Sequence, residues 1–249
     1  MNEVALKEFL DYKAHYYEQA SFIESDPISL VHQFHKKQDI EIVGFLIATI
    51  SWGQRKSIIQ SGKKLLKILG SEPLQYVLNY NDGDCGSFVH RTFNQIDLNG
   101  FLMALKAIYQ HEDLELAFMT SMQNPTLYHH ISAFRERFIP YLEKRSLKHV
   151  ANPNKGSSAK RLIMFLRWMV RSNKNGVDFG IWDSIPQGRL MIPLDVHTGN
   201  IARKLGLLHR KQNDWKANEE LVFKLRKMDP TDPAKYDFAL FGLGAIEKF

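Results

Sequence analysis

Two short segments hold the residue types that could do chemistry. The first is Ile192-Pro193-Leu194-Asp195-Val196-His197-Thr198, in which Asp195 stands among apolar residues where a helix should begin. A carboxylate at a helix start accepts backbone N–H groups, and those groups keep it ionised. The second is Asn152-Pro153-Asn154-Lys155-Gly156-Ser157-Ser158, a tight turn that runs into Lys160 and Arg161. Pro, Asn and Gly supply its unusual backbone angles, and Ser157 or Ser158 can cap the helix that follows. A helix start offers unpaired N–H groups and a positive dipole end, which suit a phosphate, and Lys155, Lys160 and Arg161 add charge there. On residue types alone, Asp195 reads first as a plain N-cap, and for Lys160 an exposed phosphate contact is the alternative. His197 has no cluster of further ligands around it, so no metal site is expected.

Basic residues gather around these segments. From His149 to Arg171 the chain carries Lys155, Lys160, Arg161, Arg167 and Arg171 and no acid, and Arg203, Lys204, Arg210 and Lys211 form a second cluster. With a net charge of +6 and a pI of about 9.2, the chain leans towards a polyanionic partner.

Together, the basic hairpin, the lysine at the start of its second helix and the later frame Ile-Pro-Leu-Asp-Val-His-Thr resemble the helix-hairpin-helix DNA glycosylase superfamily. Pro193, Asp195, His197, Arg203, Leu205, Gly206 and Leu207 match the frame of that superfamily, and Gly156, Ala159 and Lys160 match what remains of its hairpin. The segment 45–66 is similar to its early helix pair, with Gln54 at the junction that lies near the extruded base. The hairpin departs from the usual Leu-Pro-Gly-x-Gly-x-Lys, and the long path through 172–192 to the aspartate is closest in layout to the archaeal 8-oxoguanine glycosylase branch. In that branch a C-terminal helix supplies an aspartate and, one turn later, an aromatic residue; Asp237 and Phe241 stand at those places. The segments GSSAKRL and IPLDVHTGN also resemble those of a bacterial family within the superfamily.

The resemblance implies a base-excision repair enzyme that removes an oxidised purine of the 8-oxoguanine kind and then cleaves the strand as a lyase. Lys160 would attack the sugar to form a Schiff base, and Asp195 would stabilise the positive charge developing on the sugar or activate the nucleophile. The base must leave the stack, so a pocket is expected, lined by Gln54, Trp52, Asp237, Phe241 and Trp168, with Trp182 as a further ring. Lys155, Gly156, Ser157, Ser158, Arg161 and His197 would hold phosphates. The implied partner is double-stranded DNA with a damaged base, bound by a monomer without metal, cofactor or nucleotide. The alternatives are a non-catalytic DNA-binding module that keeps the hairpin for phosphates, and a monofunctional glycosylase that uses Asp195 and water.

These residues must be positioned by helices. Asp26-Pro27 and Asp232-Pro233 are cap-plus-proline starts, and Asp39 opens an almost wholly apolar stretch expected to be a buried helix. Apolar spacing predicts a helix over 54–69 and further helices over 97–110, 113–122, 127–143, 157–172, 195–206, 214–228 and 231–242, with loops at 79–95, 145–156 and 172–194. Strand patterns are almost absent. The expectation is an all-α, two-lobed glycosylase-like fold with a helix-hairpin-helix element near 145–172 and no iron–sulfur cluster. One lobe spans roughly 35–145, and the other combines roughly 1–34 with 146–249. The single Cys85 excludes a multi-cysteine metal site and an internal disulfide. No apolar run of about 18 residues and no signal peptide appears, so a cytoplasmic protein without membrane contact is expected. Neither a Walker A loop nor a dinucleotide fingerprint is present.

Overall fold

The computed structural model describes residues 2–249, and among them α-helices and short 3-10 turns dominate, with one two-residue strand pair. No helix among the described residues is long and apolar enough to cross a membrane. The chain divides into two compact units: Ser25–Ala151 is one, and Asn152–Phe249 joins the residues up to Glu24 in the other.

The discontinuous unit begins with α1 (Glu3–Tyr17) and α2 (Ala20–Ser25), the latter ending at the boundary. Asn2 caps α1 by accepting from the Ala5 N–H. In the contiguous unit, α3 (Lys37–Ile50) is buried from Asp39 to Ile50 because nearly every side chain is apolar. It is followed by α4 (Arg55–Leu69), whose buried stripe is Ile58, Leu65 and Leu69, and by α5 (Pro73–Leu78). The strands β1 (Val89–His90) and β2 (Phe93–Asn94) pair antiparallel, His90 opposite Phe93. Then come α6 (Gln95–Tyr109), started by an Asn94/Asp97 capping box, α7 (Leu114–Ala117) and α8 (Leu127–Phe138). Phe45 of α3 packs on Phe101, Phe134 and Phe138 at 5.1 to 5.8 Å, an aromatic core worth about 0.5–1.5 kcal/mol per pair beyond its burial.

The chain then returns to the discontinuous unit through α9 (Lys160–Val170), α10 (Val196–Lys204), α11 (Trp215–Met228) and α12 (Tyr236–Phe241). After α12 the backbone widens into a π turn at Gly242–Ile246. Gly242 is needed there, since a Cβ would stand 2.2 Å from the Tyr17 ring of α1.

Several expected helices are shorter or tighter. Pro27–Gln33 is a 3-10 turn, capped by Asp26 and closed by the Phe34 N–H on the Val31 carbonyl. The helix expected over 113–122 stops at Ala117, because the Arg137 guanidinium takes the carbonyls of Ala117 and Met119. The 231–242 stretch is a 3-10 turn, Pro233–Lys235, leading into α12.

Candidate functional site

Lys160 is the first residue of α9, and its surroundings are built by the turn before it. Asn152 accepts from the Asn154 N–H, Gly156 closes the turn at φ 82°, and Ser157 Oγ accepts from the Ala159 N–H at 3.2 Å. Neither serine caps α9. The cap is Ala159, held left-handed at φ 52° with its methyl fully buried and no side-chain acceptor to offer. The turn is fastened to the start of α11: Ser157 bridges Asp214, and the Trp215 N–H donates to the Gly156 carbonyl at 3.1 Å. Lys155, Gly156 and Ser157 are exposed and Ser158 is half-buried. Arg161 is half-buried too, and desolvation pushes its guanidinium down to about 10.

Asp195 is the N-cap of α10, and its carboxylate does two things at once. Oδ1 accepts from the Thr198 N–H at 2.8 Å, and Oδ2 accepts from Lys160 Nζ at 3.1 Å. The pair is partly open, with 36% of the lysine and 15% of the aspartate side chain exposed. Behind it, Asn213 Nδ2 donates to the Asp195 carbonyl at 2.8 Å, and Arg203 holds Asn213 Oδ1 at 2.6 Å while also binding the carbonyls of Arg210 and Lys211. Gly199 is required by this arrangement, because a Cβ there would lie 2.6 Å from Asn213 Oδ1. Asn218 of α11 fixes the segment before the aspartate by donating to the Ile192 carbonyl at 2.8 Å. The result is an oriented carboxylate in hydrogen-bond contact with an ammonium, an acceptor within reach of its proton. Asn213 is not apparent from the motif, and the glycine in His-Thr-Gly-Asn is the one signal of the close approach. His197 and Val196 are exposed beside the cap.

Arg167 on α9 and Arg171 at its C-cap require a correction. They are not part of a surface basic cluster: each is 4% exposed and sunk among carboxylates. Arg167 binds Asp178 at 3.2 Å and Asp237 at 2.5 Å; Arg171 binds Asp178 at 3.1 Å, Asp232 at 2.8 Å and Glu18. Arg203 and Arg210 likewise serve the fold, Arg210 pairing with Asp214 at 2.5 Å.

The base-pocket candidates divide. Trp168 is wholly buried and its indole N–H has no hydrogen-bond partner, so it is a core residue and not a pocket wall. Trp182 is also buried, edge-on to Phe165 at 5.3 Å. Asp237 is no open acceptor, since Arg167 holds it in a buried pair. Loss of water pushes its carboxyl up to about 6 against the pull of Arg167, with Asp195 and Asp178 adding like-charge repulsion. Phe241 is half-buried and meets Phe22 at 6.2 Å. A cavity of about 420 Å³ in this unit is walled by Glu18, Arg171, Gln187, Asp232 and Lys235 among others, not by Lys160 or Asp195.

Trp52 and Gln54 belong to the contiguous unit. Gln54 is the exposed N-cap of α4 and makes no side-chain cap bond. Trp52 is half-buried, with His90 edge-on at 4.9 Å and His149 at 5.7 Å. His90 Nε2 donates to the Trp52 carbonyl at 3.1 Å, which leaves Nδ1 to accept from Ser61 at 2.9 Å. The carboxylates Glu41, Asp113 and Glu115 approach one another at ligand spacing, but the Lys37 ammonium sits among them and Tyr109 donates to Glu41 at 2.6 Å.

The family described as "Protein of unknown function (DUF2400)" matches residues 26–246. The chain belongs to this family. The match takes in both Lys160 and Asp195, the turn before α9 and the buried arginines, and it begins at the cap of the first 3-10 turn. No curated protein and no solved structure matches the chain.

Proposed function

We propose that the chain is a DNA glycosylase with lyase activity, acting on an oxidised purine of the 8-oxoguanine kind in double-stranded DNA through a helix-hairpin-helix glycosylase fold. The observation that carries this reading is the 3.1 Å contact between Lys160 Nζ and Asp195 Oδ2 at the starts of two helices, partly open to solvent. Asp195 takes a proton from the Lys160 ammonium, and the freed amine attacks the sugar carbon. The bond to the base breaks with its electron pair leaving on the base, and the ring opens to a Schiff base on Lys160. Asp195 passes its proton to the departing base and, ionised again, takes a proton from C2′ as the 3′ phosphate leaves with the electron pair of its C–O bond. The exposed Lys155 in the turn before α9 supplies charge for a phosphate, while the turn's own amides are spent on the carbonyls of Asn152 and Pro153.

The same ion pair also favours a second reading, hydrolysis by Asp195 and water without a covalent step, because a paired ammonium is no nucleophile until its proton leaves. Borohydride trapping on a duplex containing 8-oxoguanine separates the readings. A covalent adduct with the native chain that Lys160→Gln abolishes supports the lyase. Base release without an adduct, lost in Asp195→Asn, supports the hydrolytic path. If neither adduct nor base release appears across a panel of lesions while undamaged duplex is bound in a salt-dependent way, the chain is a binding module and the enzyme reading fails.

A further inference from the structure

Helix α4 carries Arg55, Lys56, Lys63, Lys64 and Lys67 and no acidic residue. Lys56, Gln60, Lys63 and Lys67 succeed one another at intervals of four, three and four, which places them on one face of the helix. All are exposed, as is Lys64 at the edge of that face, while Ile58, Leu65 and Leu69 are buried on the other side. At 1.5 Å per residue the row runs about 16 Å along the axis.

Among the described residues no carboxylate lies in ion-pair reach of Lys56, Lys63, Lys64 or Lys67. Other surface cations do find acids: Lys7 meets Asp11 at 2.5 Å and Lys36 meets Glu72 at 3.2 Å, and even Arg55 lies 3.9 Å from Asp26. The arrangement works against the helix itself. Arg55 and Lys56 occupy the first turn, where the positive dipole end repels cations and where no acid stands. Lys63 and Lys67 set like charges one turn apart. A counter-charge from outside the chain would relieve both.

A further cation stands near the start of the helix. Arg91, at the exposed tip of the β1–β2 hairpin with φ 55°, lies against Gly53, where a Cβ would be 2.8 Å from its Nη1. Gly53 directly precedes the Gln54 cap.

We propose that this lysine face of α4, headed by Arg91, binds the phosphate backbone of a nucleic-acid duplex. A duplex presents about one charge per 1.7 Å of axis, so a linear row of this length meets several phosphates at once. An anionic membrane fits less well, because α4 exposes no large apolar side chain to enter a headgroup layer. The surface stands apart from the chemistry assigned to Lys160, and its test involves no cleavage.

The test measures fluorescence anisotropy of a short labelled, undamaged duplex with the full chain between about 50 and 200 mM salt, where each phosphate contact contributes about 0.9 to the log–log slope. Lys56→Gln, Lys63→Gln, Lys64→Gln and Lys67→Gln combined should lower the slope by about 3 and weaken binding at least about tenfold, whereas Lys160→Gln should lower it by about 1 or less. An unchanged slope in the combined variant overturns the proposal. So does native protein that ignores the duplex but sediments with phosphatidylserine vesicles through the same lysines. Acetylation of the native chain with and without duplex gives a readout that needs no variant: the α4 lysines should be protected and Lys227 should not. Neither adduct nor base release, together with a lowered slope, removes the glycosylase reading and keeps this one; trapping or base release with an unchanged slope does the reverse.

Discussion

Asn213 holds Asp195 by its main chain while Lys160 holds it by its side chain, at 2.8 Å and 3.1 Å respectively. With Thr198 on the other carboxylate oxygen, the carboxylate is held at both oxygens and the main chain behind it is held separately. Orientation of this kind matters more to a reacting carboxylate than to a simple cap, and it makes the two roles separable by substitution.

Asp195→Asn keeps an oxygen for the Thr198 N–H and loses only the charge towards a half-exposed lysine. Its stability should remain within about 0.5–1 kcal/mol of the native chain, whereas Asp195→Ala should cost about 1–2 kcal/mol through loss of the cap. Urea denaturation of both variants checks this. Equal losses would mean that the cap contributes nothing.

Gly199→Ala should act at a distance. The new methyl would displace Asn213, and with it the hold on the Asp195 carbonyl, for about 1–3 kcal/mol. Hydrogen exchange should quicken at the amide of residue 199, which in the native chain donates to that same carbonyl at 2.9 Å. A native exchange rate there would show that Asn213 does not brace the helix start.

Removing Arg171 leaves Glu18, Asp178 and Asp232 facing one another without their shared cation. Arg171→Met should therefore cost about 3–5 kcal/mol near neutral pH. Part of that loss should return in acid, where the orphaned carboxyls can take up protons. A thermal melt at two pH values decides it: a loss that grows as the pH falls would contradict the account.

Asp237 titrates near 6 in the fold and near 3.8 as an unperturbed aspartate. Between those values the folded chain keeps a proton that the unfolded chain has released. This contribution to stability is thus complete below about 3.8 and is lost as the pH rises through about 6. Asp237→Asn should stand close to the native chain at about pH 3 and gain on it by up to about 3 kcal/mol at about pH 8. A pH-independent difference between the two would remove the assigned cause.

Local patterns make much of this architecture readable in advance. Apolar spacing places α4 and α11 to within a residue, and the frame around Asp195 marks it as a cap, because both depend on residues within one or two turns. The buried arginines escape such reading: Glu18 lies 153 residues before Arg171, Asp232 61 after it, and Asp237 70 after Arg167. With acids that remote, an acid-free stretch looks like a basic surface. The early end of α7 is hidden for the same reason, since the guanidinium that takes its carbonyls comes from α8. The contact between Lys160 and Asp195 is likewise a product of tertiary packing, as no spacing rule links residues across so long a loop.

The division of the chain also sets an order of events during synthesis. The unit from Ser25 to Ala151 is contiguous and can close as soon as it leaves the ribosome. Helix α1 is made before that unit, yet the partners of its last turn, Gly242 against Tyr17 and Arg171 against Glu18, are made after it. At about 5–20 residues per second the stretch after Ala151 takes roughly 5–20 s to emerge. For that interval α1 waits with Leu6, Leu10 and Tyr17 uncovered, a segment that a chaperone would shelter.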